Sequence, residues 1–513
     1  MLSKIKTMAL NGLDGYLVDI QTDISSGLPE FEIVGLPDTS VKEAKKRIEI
    51  SIKNSKIEFP SKKIVINLAP ANMRKGGSSF DLAMAVGILI ATENISQIDK
   101  ARLVNTIFIG ELSLDGRINR TNGILPMCIE AKELGIKRVI VPKANANEAA
   151  VVNEIDVIPI EDLNELIKYL NEEIQISPYK TKMETYVIKE NNEIDFLEVK
   201  GQEEAKRALE IAAAGGHNLL MIGSPGAGKT MLAKRLKTIL PKLSIEEIME
   251  ITKIHSISGE LQSDGIVMNR PFRMPHHTVP ISTIIGGGKN PKPGEISLAH
   301  NGILFFDELP EFNRNILEAL REPLENKEIA INRLSGNFIF PCNFMFVASM
   351  NPCPCGYYGD DEKECKCSAS ERHKYLNKIS GPLLDRIDLH IEVKRPKYDK
   401  LSSKVKSETS KEIQNRVNIA RQIQTERYSK YNIYSNSELT TRQIAEFCIL
   451  DSKGEELLEN AFKKLQLSVR AYEKILKVSR TIADLEGKEK IEYKHIAEAI
   501  QYRSLDRKYD NWI

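Results

Sequence analysis

Residues 219–230 read LLMIGSPGAGKT, and this stretch decides the fold of the central part of the chain. Four apolar residues lead into a glycine-rich loop, and a helical pattern (MLAKRLKTIL) follows the loop. This order of strand, loop and helix is the context that a phosphate-binding loop of the form G-x-x-x-x-G-K-[ST] requires. The glycines let backbone N–H groups turn inward around phosphate oxygens, and the start of a helix favours bound negative charge. The sequence therefore predicts a nucleotide-binding α/β domain built around this loop.

The loop and the start of the helix supply the predicted contacts with ATP. Lys229 adds a point charge, and the hydroxyl of Thr230 is a predicted ligand of Mg²⁺. The predicted ATP-binding residues are Gly223, Ser224, Pro225, Gly226, Ala227, Gly228, Lys229, Thr230 and Met231.

A second apolar run, residues 302–306, ends in the two carboxylates Asp307 and Glu308. Parallel strands carry their functional groups at the carboxyl end. Adjacent acids at a buried strand end are rarely there for stability, because an unpaired charge is costly to bury. We therefore expect Asp307 to act on Mg²⁺ and Glu308 to polarise the water that attacks the nucleotide.

Composition sets limits on the class of protein. At 513 residues the chain has room for roughly three domains. With 72 Lys and Arg against 71 Asp and Glu, the net charge is +1, so any nucleic-acid partner must be met by local basic patches. The N-terminus has no apolar signal core, and no stretch approaches the ~18 consecutive apolar residues of a membrane span. These features predict a cytoplasmic protein.

The pattern of apolar and polar residues divides the chain into four parts. Residues 1–175 alternate β-like runs with helical patterns at 40–55, 81–92 and 127–134, which predicts an α/β domain. A polar linker follows at 176–193, and the nucleotide-binding core occupies 194–395, with a long inserted region at 255–301. Charged segments of helical spacing at 407–428, 441–450, 454–465, 469–485 and 493–502 predict a helical lid over 396–513, and the charged face of its first helix is expected to be solvated rather than bound to nucleic acid. The predicted fold class is α/β, a parallel P-loop sheet with a helical lid behind a separate α/β domain.

Two segments of the first domain resemble the proteolytic, S5-like domain of Lon proteases. They are LAPANMRKGGSSFDL at 68–82 and GELSLDG at 110–116. The resemblance aligns Ser79 with the nucleophilic serine and Leu125 with the lysine that activates it. A serine hydroxyl without its base is a poor nucleophile, so we expect no peptidase activity. The alternative is a scaffold or ring-forming domain with a nucleic-acid surface around Arg74 and Lys75.

Longer strings resemble the ComM/YifB family of competence-associated ATPases, in the magnesium-chelatase-like branch of AAA+ proteins. These strings are RPFRMPHHTVP (270–280), GGGKNPKPGEISLAHNGILFFDELPEF (286–312), ASMNPCPCGYYGD (348–360), GPLLDRIDLHIEV (381–393) and SVRAYEKILKVSRTIADLEG (468–487). The resemblance implies that Asn351, after the apolar run 344–350, orients the attacking water. It also implies that Arg386 is an arginine finger reaching the ATP of a neighbouring subunit and that Arg470 is the second sensor. A finger supplied in trans implies a ring, expected to be a homohexamer. The alternative for Arg386 is a structural salt bridge with Asp385 or Asp388.

The inserted region is rich in Gly, Pro, His and basic residues, and in this branch such loops line the central pore. A basic loop there could follow a phosphate backbone. The predicted DNA contacts are Arg273, Lys289, Lys292 and Arg333, the last in a hairpin pattern where a solvated charge is an equal alternative. His276 and His277 have no third ligand at metal spacing, which favours hydrogen bonding or loop packing over a metal site.

Two C-x-C pairs form a further candidate site: Cys353 with Cys355, and Cys365 with Cys367. Four thiolates at this spacing could enclose one tetrahedral Zn²⁺. In a chain without a leader they indicate metal ligands rather than a disulfide framework. Reduced thiols or redox-active pairs are the alternatives.

These predictions combine into a ring-forming ATPase that uses ATP and Mg²⁺, with zinc as a candidate cofactor, to move along single-stranded or branched DNA. The resemblance implies a helicase that drives branch migration during natural transformation. The absence of a long apolar run predicts no membrane partner. Two other classes remain as alternatives. A chelatase-type motor would remodel a partner protein, and a Lon-like ATP-dependent protease is disfavoured by Leu125.

Overall fold

The computed structural model describes residues 2–96, 98, 100–181, 194–261, 265–288, 291–333, 336–396, 407–431 and 433–503. Its strands are β1 (Leu2–Asn11), β2 (Asp14–Ser25), β3 (Glu30–Val34), β4 (Lys63–Ala69), β5 (Thr106–Phe108), β6 (Glu111–Leu112), β7 (Ile118–Asn119), β8 (Arg138–Pro142), β9 (Asp156–Ile160), β10 (Leu219–Ile222), β11 (Phe272–Arg273), β12 (Gly286–Gly287), β13 (Lys292–Pro293), β14 (Ile303–Phe306), β15 (Glu328–Arg333), β16 (Gly336–Pro341), β17 (Met345–Met350) and β18 (Leu389–Glu392).

The α-helices are α1 (Thr39–Asn54), α2 (Asp81–Ala91), α3 (Lys100–Val104), α4 (Ile124–Glu133), α5 (Ala146–Ala149), α6 (Leu163–Leu170), α7 (Glu203–Gly215), α8 (Lys229–Ile239), α9 (Ile245–Ser258), α10 (Ile281–Ile285), α11 (Glu295–Leu298), α12 (Arg314–Ala319), α13 (Arg321–Asn326), α14 (Ala369–Leu376), α15 (Gly381–Leu384), α16 (Ser410–Arg427), α17 (Thr441–Phe447), α18 (Ser452–Leu465), α19 (Val469–Leu485) and α20 (Tyr493–Gln501). Short 3-10 turns occur at Lys143–Asn145, Phe196–Glu198, Leu309–Glu311 and Asn436–Glu438.

The chain folds into two compact units. The first consists of Met1–Ile188, Ile245–Met268 and Asn332–Ile339. It contains a seven-stranded sheet in the order β3-β4-β2-β1-β5-β8-β9, in which the β1–β2 and β2–β4 pairs are antiparallel and the other pairs are parallel. Alternate residues of β4 are buried, as a strand with one face on a core requires. The apolar helix α2 fills much of that core.

The Lon-like motifs lie in this first unit. Leu125 is fully buried in the first turn of α4, and its backbone N–H donates to Oε1 of Glu148 at 2.9 Å. Ser79 lies in the turn before α2, where its carbonyl accepts from the N–H of Gly110 at 3.0 Å. The alternative of a nucleic-acid surface around Arg74 and Lys75 fits the exposed Arg74 but is wrong for Lys75. Its side chain is buried, and its ammonium group donates to the carbonyl oxygens of Pro70 and Met73, because burial leaves it no water to bind.

The second unit consists of Lys189–Ser244, Asn269–Ile331 and Phe340–Ile513. Its five-stranded sheet has the order β11-β14-β17-β10-β18, and every pair is parallel. The four residues of β10 and the four of β14 are all buried, as continuous apolar runs in a parallel sheet should be. The carboxyl ends of β10, β14 and β17 therefore share one edge of the sheet. These observations confirm the predicted α/β fold class.

The predicted helices of the C-terminal part agree closely with α16 to α20. The charged face of α16 is not simply solvated as expected, because its arginines form ion pairs with other helices. Arg427 pairs with Asp484 at 2.6 Å, and Arg416 pairs with Glu210 at 2.5 Å. These ion pairs connect α16, the first helix of the predicted lid, with α7 and α19.

The inserted region is more structured than a long loop. It contains the end of α9 followed by β11, α10, β12, β13 and α11. Residues 245–268 belong to the first unit, and 269–301 belong to the second. Of the predicted linker 176–193, residues 182–193 lie outside the described residues. In the described part of the chain, no helix combines the length and apolarity needed to cross a membrane.

Candidate active site

The phosphate-loop sequence connects β10 to α8, as its motif predicts. Gly226 and Gly228 have φ angles of 80° and 89°, in the left-handed region where a side chain would be strained. Lys229 begins α8, and its Nζ atom donates to the carbonyl of Gly223 at 2.6 Å and to that of Ser224 at 3.2 Å. Burial lowers the pKa of Lys229 to about 8, against the opposing effect of Asp307 and Glu308.

Oxygen ligands lie beside the loop, at the end of β14. The hydroxyl of Thr230 donates to Oδ2 of Asp307 at 2.7 Å, and the hydroxyl of Ser349 donates to Oδ1 of the same carboxylate. Glu308 follows with its side chain 58% exposed and with a φ of 56°, an uncommon backbone conformation for a residue other than glycine. The chain therefore holds Asp307 in a hydrogen-bonded position while it leaves the Glu308 carboxylate open to water.

Asn351, after β17, completes this group. Its Oδ1 atom accepts a hydrogen bond from Nζ of Lys229 at 3.1 Å. The ends of three neighbouring parallel strands thus bring Lys229, Thr230, Asp307 and Asn351 together, and we call these four residues the phosphate-loop group. A bound nucleotide triphosphate needs this combination of positive charge, oxygen ligands and a polar amide.

Sequence reasoning missed four residues that border this group. Ser349 lies two positions before Asn351, and its neighbour Ala348 pairs with Phe306 in the parallel sheet. The pairing of these two strands could therefore have placed Ser349 beside Asp307.

The other three residues contact the phosphate loop or its neighbours from distant segments. Gln202 donates to the carbonyls of Ala227 at 2.7 Å and Lys394 at 3.0 Å. Arg395 donates to the carbonyl of Pro225 at 2.8 Å, and Nδ1 of His277 lies 3.9 Å from Oε2 of Glu308. No local sequence pattern predicts these three contacts.

The two predicted arginines belong to a separate cluster. Arg386 pairs with Oε2 of Glu325, and Nη2 of Arg470 lies 3.6 Å from Oε1 of the same carboxylate. We call Glu325, Arg386 and Arg470 the arginine cluster. It lines a cleft of about 340 Å³ whose walls contain no residue of the phosphate loop among the described residues.

The alternative salt bridge of Arg386 with Asp385 or Asp388 is not formed, since Arg386 pairs with Glu325 instead. Asp388 is engaged elsewhere. Its carboxylate accepts from the backbone N–H of Asn218 at 2.8 Å and contacts Nζ of Lys474 at 3.0 Å. Burial alone would raise the pKa of Asp388, but these groups and His217 lower it to about 2.

The four cysteines also come together. The Sγ atoms of Cys353, Cys355, Cys365 and Cys367 all lie within 4.8 Å of one another. The Sγ of Cys353 is 3.4 Å from that of Cys355 and 3.6 Å from that of Cys365. Four sulfur atoms at such separations form a donor set suited to a tetrahedral zinc ion.

The loop that the cysteines enclose, residues 353–367, packs on the phosphate loop. A Cβ atom added at Gly356 would lie 2.6 Å from Cδ of Pro225, so only glycine allows this approach. A hydrogen bond between the side chains of Ser224 and Asp360 lowers the pKa of Asp360. The cysteine loop is thus in direct contact with the predicted ATP site.

The predicted DNA contacts differ in their environments. Arg273 donates two hydrogen bonds to Glu295, at 2.6 and 2.7 Å, so its charge is already paired. Lys292 and Arg333 are exposed, and Lys289 lies outside the described residues.

The rings of the two adjacent histidines of the insert, His276 and His277, are in contact and tilted by 32° to each other. Their ring centroids are 4.2 Å apart, and Nδ1 of His276 is 2.8 Å from the hydroxyl of Thr278. Within the described ranges, neither histidine belongs to a cluster of three or more metal-ligating side chains.

Comparison with known families covers most of the chain. Residues 195–401 match the family described as magnesium chelatase, subunit ChlI, and residues 407–503 match the C-terminal part of that subunit. Residues 20–145 match a further family described as subunit ChlI of Mg-chelatase.

Comparison with individual proteins gives full-length relatives. The competence protein ComM of Haemophilus influenzae is 42% identical, over 99% of this chain and 98% of the relative. The protein YifB of Escherichia coli is 41% identical, also over 99% of this chain and 98% of the relative. Lon protease 4 of Sorangium cellulosum is 27% identical over 184 residues, which are 33% of this chain and 22% of the protease. With the P-loop sheet and the grouped site residues, these matches lead to one conclusion: the chain belongs to the ComM/YifB family of magnesium-chelatase-like AAA+ proteins.

Proposed function

We propose that this protein hydrolyses ATP in a site shared between subunits of a ring and uses the energy to move along DNA. The observation that carries the ATPase step is the convergence of Lys229, Thr230, Asp307 and Asn351 at the ends of three adjacent parallel strands. Such an edge of an open parallel sheet is where ligands bind in this type of fold.

Each residue of the site has a distinct proposed role. The loop 223–231 surrounds the phosphates with N–H groups, and Lys229 supplies positive charge. Thr230 and Asp307 offer hard oxygen ligands, the type that Mg²⁺ prefers, and bound Mg²⁺ offsets phosphate charge. Glu308 polarises the attacking water and Asn351 orients it. The open position of the Glu308 carboxylate supports this role, because the attacking water must reach it.

The arginine cluster supports a shared site. Phosphoryl transfer needs positive charge at the γ-phosphate, and little else from the protein beyond positioning. Both arginines pair with Glu325, and Arg386 also donates to the carbonyl of Pro382. As far as the described residues extend, neither arginine contacts the phosphate loop of its own chain. We therefore assign both arginines to the ATP of the adjoining subunit. A head-to-tail contact of this kind closes into a ring, which we propose to be a homohexamer.

We propose DNA as the track on which the ring moves. The exposed Lys292 and Arg333, together with Lys289, are the proposed phosphate contacts, whereas Arg273 is occupied by Glu295. The competence protein ComM among the relatives supports a role with incoming DNA, and we propose branch migration during recombination. The Lon-like domain then serves as a scaffold without peptidase activity, since the buried Leu125 supplies no base.

We further propose that the four cysteines hold one Zn²⁺. The sulfur atoms are of the soft type that zinc accepts in closed structural sites. Such a site would stiffen residues 353–367, and through Gly356 and Asp360 it would support the phosphate loop.

The test is ATP hydrolysis by the purified full-length protein, with and without single-stranded or branched DNA. We expect DNA to stimulate hydrolysis and branched substrates to be separated in an ATP-dependent way. Lys229→Ala serves as the inactive control. Hydrolysis that DNA does not stimulate, with stimulation by a protein partner instead, would favour a chelatase-type motor. ATP-dependent cleavage of casein that is lost in Ser79→Ala would favour a protease.

A further inference from the structure

We propose that Glu325 is a positioning residue that holds Arg386 and Arg470 side by side, so that both guanidinium groups act together on the phosphates of the adjoining subunit. This inference rests on the proposed shared site. Glu325 lies in the last turn of α13, before the β15–β16 hairpin, and no local sequence pattern selects it.

The geometry is that of a bridging carboxylate. One oxygen of Glu325 pairs with Nη2 of Arg386, and the other lies 3.6 Å from Nη2 of Arg470. The two arginines come from different elements: Arg386 follows α15, and Arg470 lies in the first turn of α19. Glu325 therefore connects the sheet-bearing core of the unit with a helix of the lid.

The two arginines depend on Glu325 to different degrees. Arg386 is also held by its chain, because Nη1 donates to the carbonyl of Pro382 at 2.7 Å and its own carbonyl accepts from Asn218 at 3.0 Å. Its side chain is only 12% exposed. The Arg470 side chain is 53% exposed, and within the described residues its ion pair is with Glu325. Without Glu325, Arg470 would lose its orientation first.

Charge explains why a carboxylate is needed at this position. Two guanidinium groups that approach the same triphosphate repel each other, and an acid between them offsets that repulsion. The hydrogen bond from Arg386 lowers the pKa of Glu325, and the charges of Arg386, Arg470 and Arg321 lower it further, so the carboxylate stays ionised at neutral pH.

The bridge does not use up the donors of the arginines. A guanidinium group has five N–H donors, and Glu325 contacts one nitrogen of each. The Nε of Arg386 is buried without a hydrogen-bond partner among the described residues. Arg470 retains its other donors on an exposed side chain, which is where phosphate oxygens of a neighbour can reach it. Glu325 can thus orient the pair without competing for every donor.

The experiment compares Glu325→Gln with Glu322→Gln, an exposed residue of the same helix, in steady-state ATP hydrolysis by the assembled full-length protein. We expect kcat of Glu325→Gln to fall about tenfold, the size of effect of one lost orienting contact, while KM changes less than about twofold. The melting temperature should not change, and Glu325→Asp should recover part of the loss. Glu322→Gln should behave as the parent. An unchanged kcat, a raised kcat, or an equal fall in Glu322→Gln would overturn the proposal.

A second comparison separates this inference from the proposed function. In an Arg386→Ala, Arg470→Ala background, adding Glu325→Gln should cause no further loss, because Glu325 acts only through those side chains. A further loss would overturn the positioning role. If Arg386→Ala itself leaves hydrolysis unchanged, the shared site fails. If Arg386→Ala abolishes hydrolysis while Glu325→Gln has no effect, only the role of Glu325 fails.

Discussion

The phosphate-loop group and the arginine cluster lie in the same unit but differ in how complete they are within one chain. Lys229 is buried and makes three hydrogen bonds to its own subunit, and the Asp307 carboxylate accepts two hydroxyl groups. Arg470 and Glu325 are more than half exposed and form one long ion pair. The phosphate-loop group is assembled by the fold, whereas in the arginine cluster Arg470 and Glu325 present their charges to solvent.

Under the proposed function, this difference separates residues that bind ATP from residues that act in its turnover. A group whose loop, helix start and oxygen ligands are already in place can bind a ligand with little movement of the backbone. The arginine cluster, in which Arg470 is exposed and Arg386 is mostly buried, acquires its function only when a neighbouring surface brings a ligand to it. Changes in the phosphate-loop group should therefore affect ATP binding, and changes in the arginine cluster should affect turnover and depend on assembly.

The largest effect should come from Arg386→Ala. We expect kcat to fall by about 10³-fold or more, as for other arginines supplied in trans, with ATP affinity retained. Lys229→Ala should instead lose ATP binding itself. Binding is measured with a fluorescent ATP analogue and turnover by phosphate release. If Arg386→Ala lost affinity in proportion to turnover, the division between the two groups would be broken.

Glu308→Gln should have the next largest effect. The amide cannot take a proton from the attacking water, so we expect kcat to fall about 10²-fold or more while ATP binding persists. Glu311→Gln is the matched control, because Glu311 is an exposed acid nearby that pairs with Lys378 at 3.3 Å. Turnover at the parent rate in Glu308→Gln would remove this residue from the proposed chemistry.

Removal of the proposed zinc ion should have a smaller effect, confined to ATP binding. Loss of the ion would free residues 353–367 from the phosphate loop and lower ATP affinity about tenfold, which is about 1.4 kcal/mol. The measurement is metal content beside ATP affinity, before and after chelation, with Cys365→Ser as the metal-free variant. Cys448→Ser, at a thiol outside the cluster, should keep both. Zinc below one equivalent in protein purified under reducing conditions would contradict the site.

The smallest effect should be a pH dependence of ATP binding. Lys229 has a pKa lowered to about 8, so it is charged below that pH and loses its proton above it. Bound phosphates favour the charged form, and binding above this pH must take up a proton. Affinity should therefore fall as pH rises above 8, by at most about tenfold per pH unit. Calorimetry between pH 7 and 9 in buffers of different ionisation enthalpy measures the uptake, and Lys229→Arg should abolish the dependence.

The sequence predicted elements and motifs well where one local pattern determines them. The α19 bounds, Val469–Leu485, match the predicted helix, and α8 begins at Lys229 as its motif requires. Contacts between distant segments were not predictable in this way. Glu325 contacts Arg386, which is 61 positions away in the sequence, and Gln202 contacts Lys394, which is 192 positions away. The spacing of the residues in each pair does not predict the contact.

Environment was the second property that local patterns did not reveal. Lys75 and Arg273 read as surface cations, yet one is buried on backbone carbonyls and the other is paired with Glu295. The local sequence does not distinguish a buried lysine or arginine from an exposed one, because the partner that decides its burial comes from elsewhere in the fold.

The most direct test of the shared site is to mix two variants that are each inactive. Lys229→Ala protein keeps its arginines but cannot bind ATP, and Arg386→Ala protein binds ATP but lacks the finger. In mixed rings, ATP held by an Arg386→Ala subunit can lie against the intact Arg386 of a Lys229→Ala neighbour. We predict that hydrolysis by the mixture rises well above the sum of the two separate preparations. Hydrolysis that stays at that sum, in mixtures shown to form joint rings, would contradict a site completed by the adjoining subunit.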